Sequence, residues 1–233
     1  MKTAPKPFAP QTRRERNRAE MRAAILDAAR AVMRQDGVAA LNLNKVAAQI
    51  GIKTPSLYEY FDGKMAIYDA LFRRGIEIFG EYMAPALEQE AWSAGLRAFI
   101  EAYMQFALAN PELYQLCFER PVPGFVPSEE SMRTSLDLLE VGRKRIAQWI
   151  QAQGSSPLGL TPAMLNDLSI AVAHGITAQH MANEPHLPIG KGRYGSLIPA
   201  AVALFQAAWD DSSERAALAS TRKTRAHKKE RQK

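Results

Sequence analysis

Residues 43–61 read LNKVAAQIGIKTPSLYEYF, and the spacing of the apolar residues in this run decides the fold. Val46 and Ile50 are four apart, so they share one face of a short helix predicted over 44–50. Ala47 is small where a second helix must cross closely. Gly51 falls at the turn, where a left-handed backbone costs least for glycine. Ile52 plugs that turn. Thr54 is placed to cap a second helix over 55–61, and Pro55 suits its first turn. Leu57 and Tyr60 then point back at the shared core. Two short helices at a steep angle over one apolar core make a helix-turn-helix. An ordinary structural helical hairpin satisfies the same spacing, but the continuing run LYEYFDGKMAIYDALF (57–72) weighs against it, and the outer face is left free.

That outer face carries Lys53, Thr54, Pro55, Ser56 and Tyr58, with Glu59 further round. A recognition helix presents its N-terminal residues to base edges in the major groove. Lysine donates to guanine acceptors or to phosphate, and Ser and Thr hydroxyls serve either. A tyrosine hydroxyl bonds a phosphate while its ring packs on sugar. Asn42 precedes the first short helix, where free backbone amides also face a phosphate. Lys64 opens the next helix and is placed to clamp the DNA backbone from the other side. The candidate DNA-binding set is therefore Asn42, Lys53, Thr54, Pro55, Ser56, Tyr58, Tyr60 and Lys64. Glu59 is left out because it repels phosphate.

Working outward, a helix is predicted from Ala19 to Gln35, with Ile25, Ala28, Ala29, Val32 and Met33 at helical spacing and Gly37 as its stop. Another begins after Asp62 and runs toward Leu87, with Gly80 and Pro85 as candidate bends or an early end. Further helices are predicted over 92–109, from Pro111 through Phe118, over 128–153, from Thr161-Pro162 to Met181, and over 194–209. Asn110-Pro111 and Thr161-Pro162 both read as an N-cap followed by proline in the first turn. Arg120–Pro127 (RPVPGFVP) is too rich in proline for regular structure. No run shows the period-two alternation of a strand, so the fold class is all-α.

Charge divides the chain as the motif does. Residues 1–64 carry twelve basic against six acidic side chains, 65–209 carry ten against fourteen, and 210–233 carry eight against four. A basic start on an acidic body points one end at a polyanion. The domains read from this are 1–18, a flexible basic arm; 19–64, the helix-turn-helix domain; 65–209, a larger helical bundle; and 210–233, a disordered basic tail. Of the two basic ends, Arg13–Arg18 has the better claim on DNA because it adjoins the reading domain. Cys117 is the only cysteine, which excludes an internal disulfide and fits a reducing compartment. There is no apolar signal segment at the start. The longest apolar uncharged stretch, Tyr194–Trp209, is too short to span a bilayer. A cytoplasmic protein with no membrane partner is expected.

From Ala19 to Phe72 the chain resembles the DNA-binding domain of the TetR family of bacterial regulators. The resemblance rests on the first helix ending near Gly37, the VAAQIGI turn, and LYEYFDGK (Leu57–Lys64) leading into the next helix. Asn42, Pro55 and Glu59 depart from the family's usual residues, so its base preference does not carry over. Membership implies a repressor released from a double-stranded operator by a small molecule. It also implies a homodimer built on the last two long helices. Ile170, Ala171, His174, Ala178, Leu197, Ala201 and Phe205 are the candidate interface, and the same residues would serve equally as internal core. The implied effector pocket lies among the middle helices, with Tyr103, Phe106, Tyr114, Phe118, Trp149 and His174 as its candidate lining. Tyr103 leads because a buried phenol needs a partner.

Other chemistries lack their context. Gly190-x-Gly192-x-x-Gly195 matches a dinucleotide fingerprint in form, but no strand precedes it. No histidine has a glutamate three positions before it, as a di-iron bundle requires. Cys117 sits in an apolar run and reads as a buried, inert thiol. No catalytic pair, metal site or cofactor is expected. A ligand-independent accessory DNA binder and, more remotely, a helical-bundle enzyme remain the alternative functions.

Overall fold

The computed structural model describes residues 12–210. The predicted tail 210–233 and the first eleven residues of the predicted arm fall outside the described residues, apart from Asp210. The helices are α1 (Arg13–Asp36), α2 (Leu43–Gln49), α3 (Thr54–Leu57), α4 (Gly63–Leu87), α5 (Trp92–Ala109), α6 (Pro111–Tyr114), α7 (Glu129–Gln153), α8 (Pro162–Asn183) and α9 (Gly192–Gly195). A further helix, α10, occupies 198–210. No strand occurs among the described residues, in keeping with the all-α reading.

Two compact units are present. Within the described residues, the first comprises 12–74 and 112–131, and the second 75–111 and 132–210. The first unit is thus larger than the predicted 19–64, because it includes the start of α4, α6 and the proline-rich segment. Its buried apolar residues include one face of α1 (Ile25, Ala28, Ala29, Val32, Met33), which packs on α2, together with Val46, Leu57, Ile67 and Leu71.

The helix predicted from Ala19 begins six residues earlier, and Arg13–Arg18 is helical rather than a flexible arm. The cause is a capping box. The Thr12 side chain accepts from the Glu15 backbone N–H at 3.2 Å, and the Glu15 carboxylate accepts from the Thr12 N–H at 2.7 Å. At the other end Gly37, with φ of 95°, donates to the Met33 carbonyl and stops the helix.

Two polar contacts tie the later segments of this unit down. Glu112 is 2% exposed, and its carboxylate accepts from Arg30 Nε at 2.8 Å and Arg34 Nε at 2.6 Å. Asp69 caps the start of α7, taking the Ser128 N–H at 2.7 Å and the Ser131 hydroxyl at 2.9 Å. The helix predicted through Phe118 becomes a turn of α-helix followed by a π-helix over Gln115–Glu119. The Arg120 N–H reaches back five residues to the Gln115 carbonyl at 3.1 Å, and Pro121 then ends the run.

In the second unit small residues let long helices approach. A Cβ on Gly95 of α5 would lie 2.5 Å from the Trp149 ring of α7, and one on Gly142 would lie 2.6 Å from Asn166 Oδ1 of α8. Trp92 packs against Trp149 and Trp209 at 5.3 Å between ring centres in each case. Thr161 caps α8 by accepting from the Met164 N–H at 3.2 Å, with Pro162 in the first turn. Pro85 does not end α4, which continues to Leu87. The helix predicted over 194–209 is divided into α9 and α10 by a turn at Ser196 and Leu197. Gly190 and Gly192 take positive φ on the approach to α9, and the Glu184 carboxylate accepts the Arg193 and Tyr194 N–H groups there.

Candidate nucleic-acid interface

The motif in residues 43–61 folds around three buried side chains, Val46, Ala47 and Leu57, each at most 1% exposed. Gly51 takes φ of 71° at the turn, and the Ile52 N–H closes it on the Ala47 carbonyl at 3.0 Å. Ile50, assigned to the core from its spacing, is only half-buried. The second helix is shorter than expected. It is helical from Thr54 to Leu57 and continues to Tyr60 as turns.

Inward burial of Leu57 turns Lys53, Pro55 and Tyr58 outward. All three are exposed, Tyr58 to 58%. Ser56 is half-buried beside them. The other candidates already have partners within the unit. Asn42 Oδ1 accepts from the Asn44 N–H at 2.9 Å and the Lys45 N–H at 3.3 Å, capping α2. The Thr54 hydroxyl donates to Asn44 Oδ1 at 2.8 Å. Lys64 Nζ donates to the Ala39 carbonyl at 3.1 Å and lies 5.5 Å from the centre of the Tyr68 ring.

Tyr60 is half-buried, with the Arg18 guanidinium 5.5 Å from its ring centre. Arg22 is partly buried, and desolvation, followed by the nearby charges of Arg18 and Arg73, lowers its pKa from the usual arginine range. Arg22 and Asn44 are thus neighbours of the reading segment that local sequence reading missed, and Arg18, read there as part of a basic arm beside DNA, lies against the Tyr60 ring. A basic pair spaced four apart at 18 and 22 was the available signal.

The aromatic set proposed for an effector pocket is divided between the units. Tyr114 and Phe118 belong to the first, with ring centres 5.9 Å apart. Tyr103, Phe106, Trp149 and His174 belong to the second. There the Tyr103 hydroxyl and His174 Nδ1 form a hydrogen bond at 3.1 Å, and Tyr103 and Phe106 both pack on Phe79 at 5.2 Å. Trp149 instead donates from Nε1 to the Glu90 carbonyl at 2.9 Å, within the tryptophan cluster. Among the described residues no cluster of three His, Cys, Asp or Glu side chains could hold a metal ion.

Residues 25–71 match the model for bacterial regulatory proteins of the tetR family, and residues 96–194 match the tetracyclin repressor-like C-terminal domain. The chain belongs to the TetR family. An uncharacterised HTH-type transcriptional regulator of Bacillus subtilis, YobS, is 30% identical over 91 residues, covering 39% of this chain and 48% of YobS. The chain thus spans about half the length of that curated relative. The crystal structure of the putative regulatory protein SCO4313 is 25% identical, with a TM-score of 0.64 over 87% of this chain and 98% of that one. The transcriptional regulator FadR from Bacillus subtilis, in complex with stearoyl-CoA, has the same fold at 18% identity, with a TM-score of 0.60 over 78% of this chain and 96% of that one. This TetR-family chain has no described helix long and apolar enough to cross a membrane.

Proposed function

We infer that the protein is a sequence-specific DNA-binding transcriptional regulator, a repressor that leaves its operator when a small molecule binds. The observation that carries this reading is the outward face of α3. Lys53, Pro55 and Tyr58 stand exposed on a segment whose other side is locked into the core by Leu57. That is the geometry with which a recognition helix enters a major groove. Residues 19–64 would supply this reading head, and 65–209 the effector-binding and dimerisation functions.

A homodimer is supported by a stripe on α8. Met164, Leu168, Ala171 and Gly175 are all exposed, at spacings of four, three and four, with Leu197 and Leu204 exposed near or on α10. Such a stripe suits a face-to-face helical seam. Ala171 and Leu197 were among the expected interface residues. His174 and Phe205 are occupied otherwise, His174 by Tyr103 and Phe205 by Trp92, 6.2 Å away between ring centres.

The Tyr103–His174 pair is the favoured place for an effector's polar group, with Phe106 beside it. Acyl-CoA thioesters are the first compounds to test, because a structural neighbour was crystallised with one. An effector acts only by preferring the DNA-unfit state, typically by about 1–3 kcal/mol of coupling. The test is fluorescence anisotropy on duplexes enriched from a random pool, with and without stearoyl-CoA and shorter acyl-CoAs. Release by one chain-length class supports the reading. Effector binding that leaves DNA affinity unchanged refutes the ligand-released mechanism.

A further inference from the structure

Arg18 and Arg22 lie four residues apart on α1 and so on one face of it. Both reach across to the end of the reading segment. Arg18 Nη2 donates to the Glu59 carbonyl at 2.8 Å, and Arg22 Nη1 donates to the Tyr60 carbonyl. Each guanidinium also lies over a ring of the same segment. Arg18 is 5.5 Å from the centre of Tyr60, and Arg22 is 4.0 Å from the centre of Phe61.

These carbonyls lie where helical hydrogen bonding runs out after α3. Backbone oxygens there lack partners along the helix and attract cations. α3 has four helical residues, too few to hold a direction on its own. Its start is fastened by Thr54 to Asn44, its middle by Leu57 in the core, and its end by the two arginines.

We propose that Arg18 and Arg22 are positioning residues that fix the angle of the α3 reading segment, and so set how sharply the protein separates its own site from other DNA. The proposal rests on the reading of α3 as the DNA-contacting helix. Base readout requires side chains held at a fixed angle to base edges, whereas attraction to phosphates tolerates a looser one. A basic pair beside a recognition segment would ordinarily be assigned to phosphate. Here both guanidinium groups are already engaged with backbone oxygens and ring faces.

The two roles differ in measurable ways. Duplexes are first enriched from a random pool with the wild-type chain. Affinity for the enriched duplex and for a scrambled one is then measured against salt for the wild type, Arg18→Ala, Arg22→Ala and Arg22→Lys. Positioning predicts that each alanine variant loses roughly tenfold in preference for the enriched duplex, equivalent to about 1.4 kcal/mol. Scrambled-duplex affinity and the salt slope stay at wild-type values, and Arg22→Lys recovers part of the preference.

A phosphate contact predicts instead that both duplexes weaken together and that the salt slope falls by about one. That result overturns the proposal, as does an unchanged preference in Arg18→Ala and Arg22→Lys. A general loss of folded protein lowers both affinities equally and leaves the ratio intact. If Arg22→Ala does not fold, the exposed Arg18 and the lysine variant decide the matter. A wild-type chain that enriches no sequence removes the DNA-reading function and this proposal with it. An enriched sequence with unchanged variant preferences removes only the positioning role.

Discussion

The Thr54 hydroxyl donates to Asn44 Oδ1 at 2.8 Å, which joins the two helices of the helix-turn-helix through side chains ten residues apart. Both residues are near the protein surface, yet each has a geometric task. Asn44 holds the first turn of α3 through Thr54, and its own N–H is held by Asn42. Thr54→Val removes the donor at nearly constant volume. It should cost about 1 kcal/mol of stability. A double-mutant cycle with Asn44→Ala in urea should show coupling of about 0.5 kcal/mol or more, and simple additivity would deny the contact.

Glu112 is the most exposed to consequence of the buried polar groups. Its carboxylate side chain is 1% exposed between Arg30 and Arg34, whose side chains are 16% and 47% exposed. Glu112→Gln leaves two cations without their counter-charge and should destabilise by about 3 kcal/mol. Arg34→Ala should cost less, about 1 kcal/mol, since water reaches that partner. Urea midpoints at constant slope measure both.

Burial pushes the Cys117 thiol up to about 12, from an ordinary value of 9.0. It likewise pushes the Tyr68 phenol up to about 12 from 10.0, and raises Tyr114 further, with Glu119 adding to the effect. For all three the folded state holds its proton more tightly than the unfolded chain. Their contribution is therefore intact below about pH 9 and is lost as pH rises toward 12. The urea midpoint should fall between about pH 8.5 and about pH 10.5. A thiol reagent near neutral pH should label Cys117 only after denaturant is added, and prompt labelling of the native protein would contradict its burial.

Leu168 and Leu204 are 44% and 73% exposed, so a large part of each side chain faces outward. If the stripe on α8 and α10 is a dimer seam, Leu168→Glu with Leu204→Glu should give a folded monomer by sedimentation velocity. Its affinity for a two-half-site duplex should fall by at least tenfold. A variant that sediments as the wild type places the seam elsewhere.

Much of this was legible in local pattern. The face of α1, the turn at Gly51 and the cap at Thr161 each depend on residues within a few positions of one another, and the structure has them where the spacing put them. The early start of α1 was legible too, as Thr12-x-x-Glu15, but a run of arginines invites an electrostatic reading first. What could not be read were partners far along the chain. Arg18 meets Glu59 across 41 positions, and Glu112 meets Arg30 across 82. The same limit divided the aromatic set. Helical spacing says that Tyr103 and Tyr114 are buried, but not that they belong to different units.

The central claim is that α3 reads DNA through its exposed face, and the most direct measurement is the affinity of Lys53→Ala and Tyr58→Ala for a duplex enriched by the wild-type chain. Both side chains are exposed, so their loss should leave the melting temperature unchanged. Each variant should bind that duplex about tenfold or more weakly. Wild-type affinity in both variants would contradict the claim.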